Sequence, residues 1–183
     1  MTIPFNKIVK FGQSTMLEKD LFNVSWILSR FCNYNCSYCW PYAHSKKVDH
    51  RPLDEYKNTM DEIKRQARAN GFNSFHFSFS GGEPTAYKRF LSLIDHYSND
   101  TETNYQSLHM TTNCSPGMKW WNVWLKATTK LIRRSITASY HHEFAQEDAF
   151  GDKLLMLQDA GVYSTINQAV SYTHLRAHET VVH

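Results

Sequence analysis

The stretch Cys32-Asn-Tyr-Asn-Cys36-Ser-Tyr-Cys39 places three of the four cysteines of the chain in one short loop. The loop directly follows an apolar run at residues 22–29 that is typical of a β-strand. A loop this short lets three thiolates converge on one centre. A structural zinc ion takes a fourth ligand, usually from a second C-x-x-C pair that this sequence lacks. A [4Fe-4S] cluster held by three thiolates leaves one iron open, and an open iron is a substrate site.

Composition and charge exclude several classes of protein. The 183 residues are 42% hydrophobic, with 7 Gly and 5 Pro, which is typical of one folded domain. The net charge of +3 is spread along the chain without a basic block, so it gives no argument for nucleic-acid binding. No apolar run reaches the length of about 18 residues that a membrane span needs. The N-terminal residues contain no apolar signal-peptide core, so we expect a cytoplasmic location, where cysteines are ligands rather than disulfides.

Hydrophobic periodicity predicts alternating strands and helices around a parallel sheet. The predicted strands are residues 22–29, 74–80, 107–113, 135–141 and 162–170. The predicted helices are residues 54–70, 86–97, 118–130 and 147–159. Handedness rules for such crossovers leave two architectures, a barrel or an open doubly wound sheet.

A second motif, Ser80-Gly81-Gly82-Glu83-Pro84-Thr85, follows the second predicted strand. Two glycines allow a positive φ and a close approach of the backbone to a ligand, although by themselves they indicate only a turn. The cysteine loop and this motif both follow strands of a parallel sheet, so both lie where α/β folds build their sites.

Together the two motifs resemble the signature of the radical S-adenosylmethionine (radical SAM) enzymes. The resemblance covers about residues 22–170 and implies an α/β fold, a partial TIM-type barrel with about five βα units. It implies a [4Fe-4S] cluster on Cys32, Cys36 and Cys39, bound S-adenosylmethionine, and a 5′-deoxyadenosyl radical that abstracts a substrate hydrogen. It also implies a low-potential electron donor such as a flavodoxin or ferredoxin. It favours a peptide or protein substrate, although relatives that act on nucleotides share the same strands. A non-catalytic iron–sulfur or zinc-binding module stays open as the alternative, although it leaves Gly81 to Glu83 unexplained.

The resemblance carries cofactor contacts onto individual residues. Gly81, Gly82 and Glu83 match the element that holds the amino group of the cofactor's methionine. Tyr38 matches an aromatic position that meets the adenine.

Two further matches come from later strands. Asn113 lies at the rim of the site, in Thr-Asn-Cys where relatives commonly have Thr-Asn-Gly, so Cys114 puts the geometry of that turn in doubt. Cys114 is expected to be a free thiol rather than a fourth cluster ligand. Ser139 matches a fourth-strand serine that contacts the ribose, and one of the following residues, His141 or His142, is a candidate to face the substrate.

Other features are interpreted as structural or surface elements. Trp120, Trp121 and Trp124 have helical spacing and are expected to face the core. Two basic groups are expected to be solvated, namely Lys46-Lys47 and Lys130-Arg133-Arg134. No Walker-type loop and no G-x-G-x-x-G motif is present, and no carboxylates are paired for hydrolysis.

Both ends of the chain are expected to lie outside the core. Residues 1–21 form a predicted N-terminal extension. From about residue 170 the sequence resembles the in-frame translation of a sequencing-library adapter, so residues 171–183 are interpreted as a non-native tail on a truncated gene. His174, His178 and His183 therefore receive no function.

Overall fold

The computed structural model describes residues 20–39, 45–103 and 105–169 of the chain. Nearly all of the predicted N-terminal extension, and the whole adapter-like tail with His174, His178 and His183, lie outside these ranges. Among the described residues, no helix is long and apolar enough to cross a membrane.

Five parallel strands form one sheet in sequential order, β1 to β5. Their bounds are Leu21–Ile27, Ser74–Ser80, Tyr105–Thr112, Arg133–His141 and Tyr163–Ala169. A doubly wound sheet would reverse its strand order part-way, whereas a barrel adds each strand beside the previous one. The sequential order therefore decides between the two predicted architectures in favour of a partial barrel. Within the described residues, β1 and β5 do not pair with each other, and the five strands do not form a closed sheet.

In the part of the chain that the structure describes, four helices cover one face of the sheet, and the core lies between these helices and that face. The helices are α1 at Leu53–Ala69, α2 at Phe90–Ser98, α3 at Met118–Ala127 and α4 at Glu147–Asp159. Alternate residues of β2, Phe75, Phe77 and Phe79, are fully buried beneath them. Trp121 and Trp124 of α3 are also fully buried, as their helical spacing predicted.

The helix predicted at residues 86–97 begins later than expected. Pro84–Ala86 forms a 3-10 turn, and the backbone is extended at Tyr87, with ψ 112°. The ring of Tyr87 is buried and packs against Tyr56 of α1, with ring centroids 5.3 Å apart. α2 therefore starts at Phe90, because an extended residue separates the turn from the helix.

The other face of the sheet is polar. Its strand positions carry hydroxyl, amide and imidazole groups, such as Ser78 on β2 and Thr111 on β3. Hydrogen bonds cross between strands on this face, because His76 Nδ1 lies 2.7 Å from Ser107 Oγ and His109 Nδ1 lies 2.9 Å from Ser135 Oγ. This polar face leads directly to the carboxyl ends of the strands.

Candidate functional site

A cavity of about 100 Å³ lies at the carboxyl ends of β1 to β4. It is lined by residues of the cysteine loop, of the segment after β2, and of the ends of β3 and β4: Cys32, Tyr34, Cys36, Cys39, Gly81, Gly82, Glu83, Thr111, Thr112, Asn113, Ser139 and His141. Of the residues predicted for the site, all but Tyr38 line this cavity. Parallel strands end at the same edge of a sheet, which is why residues more than 100 positions apart meet there.

The three loop cysteines are free thiols and share the wall of this cavity. Cys36 is buried, Cys32 and Cys39 are half-buried, and burial raises the pKa of the Cys32 and Cys36 thiols. Within the described ranges, no group of three or more metal-ligating side chains is placed to hold a single metal ion. The fourth cysteine, Cys114, does not line the cavity. Three thiols in one short loop, with no fourth cysteine beside them, fit a [4Fe-4S] cluster that keeps one iron open.

The cysteine loop is held by contacts from neighbouring segments. Lys46, predicted to be solvated, donates hydrogen bonds from Nζ to the carbonyl oxygens of Cys32, at 3.1 Å, and Tyr34. Lys46 is exposed, as predicted, and it also supplies a donor to loop carbonyls that have no strand partner. On the other side of the loop, the Ser37 amide donates to Glu143 Oε2 at 2.8 Å.

The two glycines of the second motif let its backbone approach the cysteine loop closely. Gly81 has φ +139°, and a Cβ atom on it would lie 2.3 Å from the carbonyl oxygen of Ser29. A Cβ atom on Gly82 would lie 2.2 Å from the carbonyl oxygen of Phe31. The Gly82 amide donates to Ser29 at 2.9 Å, and the Glu83 amide donates to Phe31 at 2.8 Å. The sequence predicted a close approach to a ligand, and the structure shows a close approach to the loop that carries the cysteines.

Glu83 is almost completely buried, with 2% of its surface exposed. Its Oε1 accepts hydrogen bonds from the Thr85 amide at 3.0 Å, the Thr85 hydroxyl at 2.6 Å and the Thr112 hydroxyl at 2.8 Å. Its Oε2 accepts one hydrogen bond, from the Asn113 amide at 2.6 Å. Burial raises the pKa of this carboxyl group, while the hydrogen bonds favour its ionised form. Glu83 thus ties the segment after β2 to the end of β3, and Oε2 keeps the capacity to accept a further donor.

Comparison with known proteins agrees with this geometry. The family model of the Radical SAM superfamily matches residues 26–140 of the chain, which span β1 to β4. The chain belongs to the radical SAM superfamily. No curated protein matches the sequence.

A solved structure of BtrN in complex with AdoMet and 2-DOIA has the same fold, with a TM-score of 0.55 and 18% sequence identity. The match covers 82% of this chain and 58% of the BtrN chain, so it extends over little more than half of BtrN.

The turn after β3 of this radical SAM domain contains a left-handed residue, Cys114. Cys114 has φ +54°, a conformation that residues with a Cβ atom seldom adopt. Its side chain is buried, and burial raises the pKa of its thiol to about 12. Lys153 of α4 donates a hydrogen bond to its carbonyl oxygen at 2.7 Å. The turn therefore holds a residue with a Cβ atom in a strained backbone conformation.

Tyr38 packs against His141, which lines the cavity of this radical SAM domain. Their rings are almost parallel, 3° apart, with centroids separated by 5.9 Å. His141 Nδ1 lies 3.1 Å from the Tyr38 hydroxyl and 3.3 Å from Cys36 Sγ. Burial lowers the pKa of His141 and raises that of Tyr38, so both groups favour their neutral forms. The sequence did not distinguish His141 from His142. In the structure His141 lines the cavity beside Cys36, whereas His142 stacks on Tyr38, with ring centroids 5.3 Å apart.

Proposed function

We propose that this chain is the catalytic core of a radical SAM enzyme in which Cys32, Cys36 and Cys39 hold a [4Fe-4S] cluster. The observation that carries the proposal is the single cavity that the three cysteines share with the segment after β2 and with the ends of β3 and β4. When bound, the cluster and S-adenosylmethionine supply a 5′-deoxyadenosyl radical that removes a hydrogen from the substrate. The family match and the AdoMet-bound BtrN neighbour support this cofactor pair.

The protein's own residues supply binding and orientation. The three cysteines bind as thiolates, and because burial raises the pKa of Cys32 and Cys36, cluster assembly releases protons. Glu83 Oε2 is the acceptor for the ammonium of the cofactor's methionine, since Oε1 already accepts three hydrogen bonds within the protein. Ser139 and Asn113, from neighbouring strand ends, line the same cavity and contact the rest of the cofactor. Tyr38, behind the cavity wall, supports the adenine side.

The substrate and the partner belong to the proposal as well. A peptide or protein substrate follows from the resemblance of the GGEPT motif and the β4 sequence Ala-Ser-Tyr-His to peptide-modifying members of the family. Cleavage of the cofactor is reductive, so the enzyme takes an electron from a low-potential flavodoxin or ferredoxin, in a cytoplasmic location. The BtrN structure holds 2-DOIA instead, which makes small polar molecules the class to compare with peptides in a substrate assay.

The decisive experiment is anaerobic reconstitution of the chain with iron and sulfide. We expect about four irons per chain, with the [4Fe-4S] spectrum lost in each single cysteine-to-alanine variant of the loop. Cys114→Ala is the matched control, because Cys114 is buried but lies outside the cavity. Iron loading that survives all three loop variants would refute the cluster assignment.

A second measurement separates an enzyme from a binding module. S-adenosylmethionine added to the reduced, loaded protein should change the EPR spectrum of the cluster and yield 5′-deoxyadenosine. A loaded protein whose spectrum is unchanged by the cofactor, and that never yields this product, supports the non-catalytic iron–sulfur module.

A further inference from the structure

Residues 141–144, at the end of β4, form a short segment that we call the β4 strap. It packs against the middle of the cysteine loop. The ring of Phe144 stacks on Tyr34, with centroids 4.8 Å apart and planes 17° apart. Glu143 accepts hydrogen bonds from both the amide and the hydroxyl of Ser37. These contacts fix the distance between β4 and the loop that carries the three cysteines.

Within the strap, His141 points its Nδ1 atom at a cysteine sulfur. The distance from His141 Nδ1 to Cys36 Sγ is 3.3 Å, which is within hydrogen-bond range for sulfur. Cys36 is the most buried of the three loop cysteines, with 8% of its surface exposed, so water has little access to its sulfur. The Tyr34 ring is nearly perpendicular to the imidazole and the Tyr38 ring is parallel to it, with centroids 5.9 Å away in each case. These contacts restrict rotation of the imidazole and keep Nδ1 directed at the sulfur.

We propose that His141 is a positioning residue that donates a hydrogen bond from Nδ1 to Cys36 Sγ and thereby raises the reduction potential of the cluster. The inference rests on the proposed function, because it assumes that Cys36 is a cluster ligand. A neutral imidazole carries one N–H group, and its tautomer follows the partner of each nitrogen. A thiolate ligand accepts and cannot donate, so a hydrogen bond from His141 to the bound cluster requires the tautomer with the proton on Nδ1. In that tautomer the Tyr38 hydroxyl, 3.1 Å away, accepts from Nδ1 rather than donating to it.

The direction in which this hydrogen bond shifts the reduction potential follows from charge. Reduction by one electron makes the cluster and its thiolates more negative, and a hydrogen bond to an anion strengthens as that negative charge grows. Hydrogen bonds to the sulfur atoms are among the factors that set the potential of iron–sulfur clusters. The Tyr38 hydroxyl also lies close to this donor, 3.1 Å from His141 Nδ1. His141 therefore favours the reduced cluster, which is the form that delivers an electron to the cofactor.

The test is a potentiometric EPR titration of the full chain, reconstituted anaerobically and reduced in steps with dithionite. At the potential where the wild type is half reduced, His141→Phe should have a ratio of reduced to oxidised cluster about tenfold lower. For a one-electron couple this ratio corresponds to a shift of about 59 mV to lower potential. His141→Gln, which restores a neutral N–H donor, should recover most of the shift. His142→Phe keeps a ring against Tyr38 and should leave the potential unchanged.

Several outcomes would overturn the inference. Equal potentials for the wild type and His141→Phe exclude the hydrogen bond, and equal shifts in His141→Phe and His142→Phe indicate a general effect of ring substitution. If His141→Phe loads no iron, ENDOR spectroscopy of the reduced wild-type cluster labelled with ¹⁵N-histidine decides the point. A histidine nitrogen coupling supports the contact, and its absence refutes it. A wild type that assembles no cluster refutes the proposed function together with the inference, whereas an unshifted cluster refutes the inference alone.

Discussion

Substitution of Gly82 by alanine tests whether the glycine pair is needed for the cysteine loop to pack against the segment after β2. A Cβ atom at this position would lie 2.2 Å from the carbonyl oxygen of Phe31 and 2.5 Å from that of Arg30. Both neighbours are backbone atoms, which cannot rotate away as the end of a flexible side chain can. The loop that carries Cys32 must therefore move away from the segment after β2.

The magnitude follows from the interactions that this movement breaks. The hydrogen bonds from the Gly82 and Glu83 amides to the cysteine loop contribute about 0.5–1.5 kcal/mol each. Overpacking of a well-packed region destabilises a protein by about 1–3 kcal/mol. Gly82→Ala should therefore lower the free energy of unfolding by about 2–6 kcal/mol, a large part of the 5–15 kcal/mol typical of a domain.

Gly151 provides the matched control. It lies inside α4, and a Cβ atom there would meet nothing within 4 Å. Gly151→Ala should raise the free energy of unfolding by about 0.8–1 kcal/mol, the difference in helix propensity. Urea unfolding followed by circular dichroism measures both variants, and iron content after reconstitution should fall only for Gly82→Ala. If the two variants have the same stability and the same iron content, the glycine pair does not dock the cysteine loop.

Three further predictions concern the turn after β3, the polar face of the sheet and the buried carboxylate. Cys114→Gly should raise the free energy of unfolding by about 1 kcal/mol in urea titrations, because glycine adopts φ +54° without strain. A lower free energy of unfolding would show that burial of the thiol stabilises the fold by more than the backbone strain destabilises it. Burial lowers the folded-state pKa of His76 and His109, with Arg133 adding to the effect, so the unfolded chain binds more protons below its pKa of about 6.5. The free energy of unfolding should therefore fall as the pH is lowered from 7 to 5 in urea titrations, and His109→Asn should flatten this dependence, whereas an equally steep profile would assign the loss of stability to other groups. Glu83→Ala should lower the free energy of unfolding by at least about 2 kcal/mol, because buried donors lose their acceptor, and should weaken S-adenosylmethionine binding ten- to a hundredfold by calorimetry. Unchanged stability in Glu83→Ala would show that its carboxylate is not the tie between β2 and β3.

The order of strands and helices was predictable because each element carries its own periodicity. α4 and β2 have the predicted bounds, and the other strands differ by one or two residues at their ends. The start of α2 was not predictable from periodicity, since the extended conformation of Tyr87 depends on packing against α1. The burial of Lys64 in α1 was missed for a similar reason. Its Nζ pairs at 2.8 Å with Asp100, a residue that a helical pattern cannot reveal.

The candidate site also has one part that the sequence predicted and one part that only the structure shows. Cys32, Cys36 and Cys39 are close in sequence, so their position in one loop beside one cavity is a local property that spacing predicts. The Gly81-Gly82-Glu83 motif was also recognisable in the sequence, but the segment that it packs against was not. Strand register brings the cysteine loop against the glycines, and it places His141 beside Cys36 across 105 residues.

The sequence by itself determined the α/β class and the position of both motifs after strands, because short-range spacing and periodicity encode these features, and it predicted the three cysteines as the ligand set. The tertiary structure alone decided that the sheet is a partial barrel with strands in sequential order. It also decided that Glu83 is buried against donors from Thr112 and Asn113 at the end of β3. The physical reason is that these contacts join segments far apart in the chain, and only the packing of strands and helices sets the distances between them.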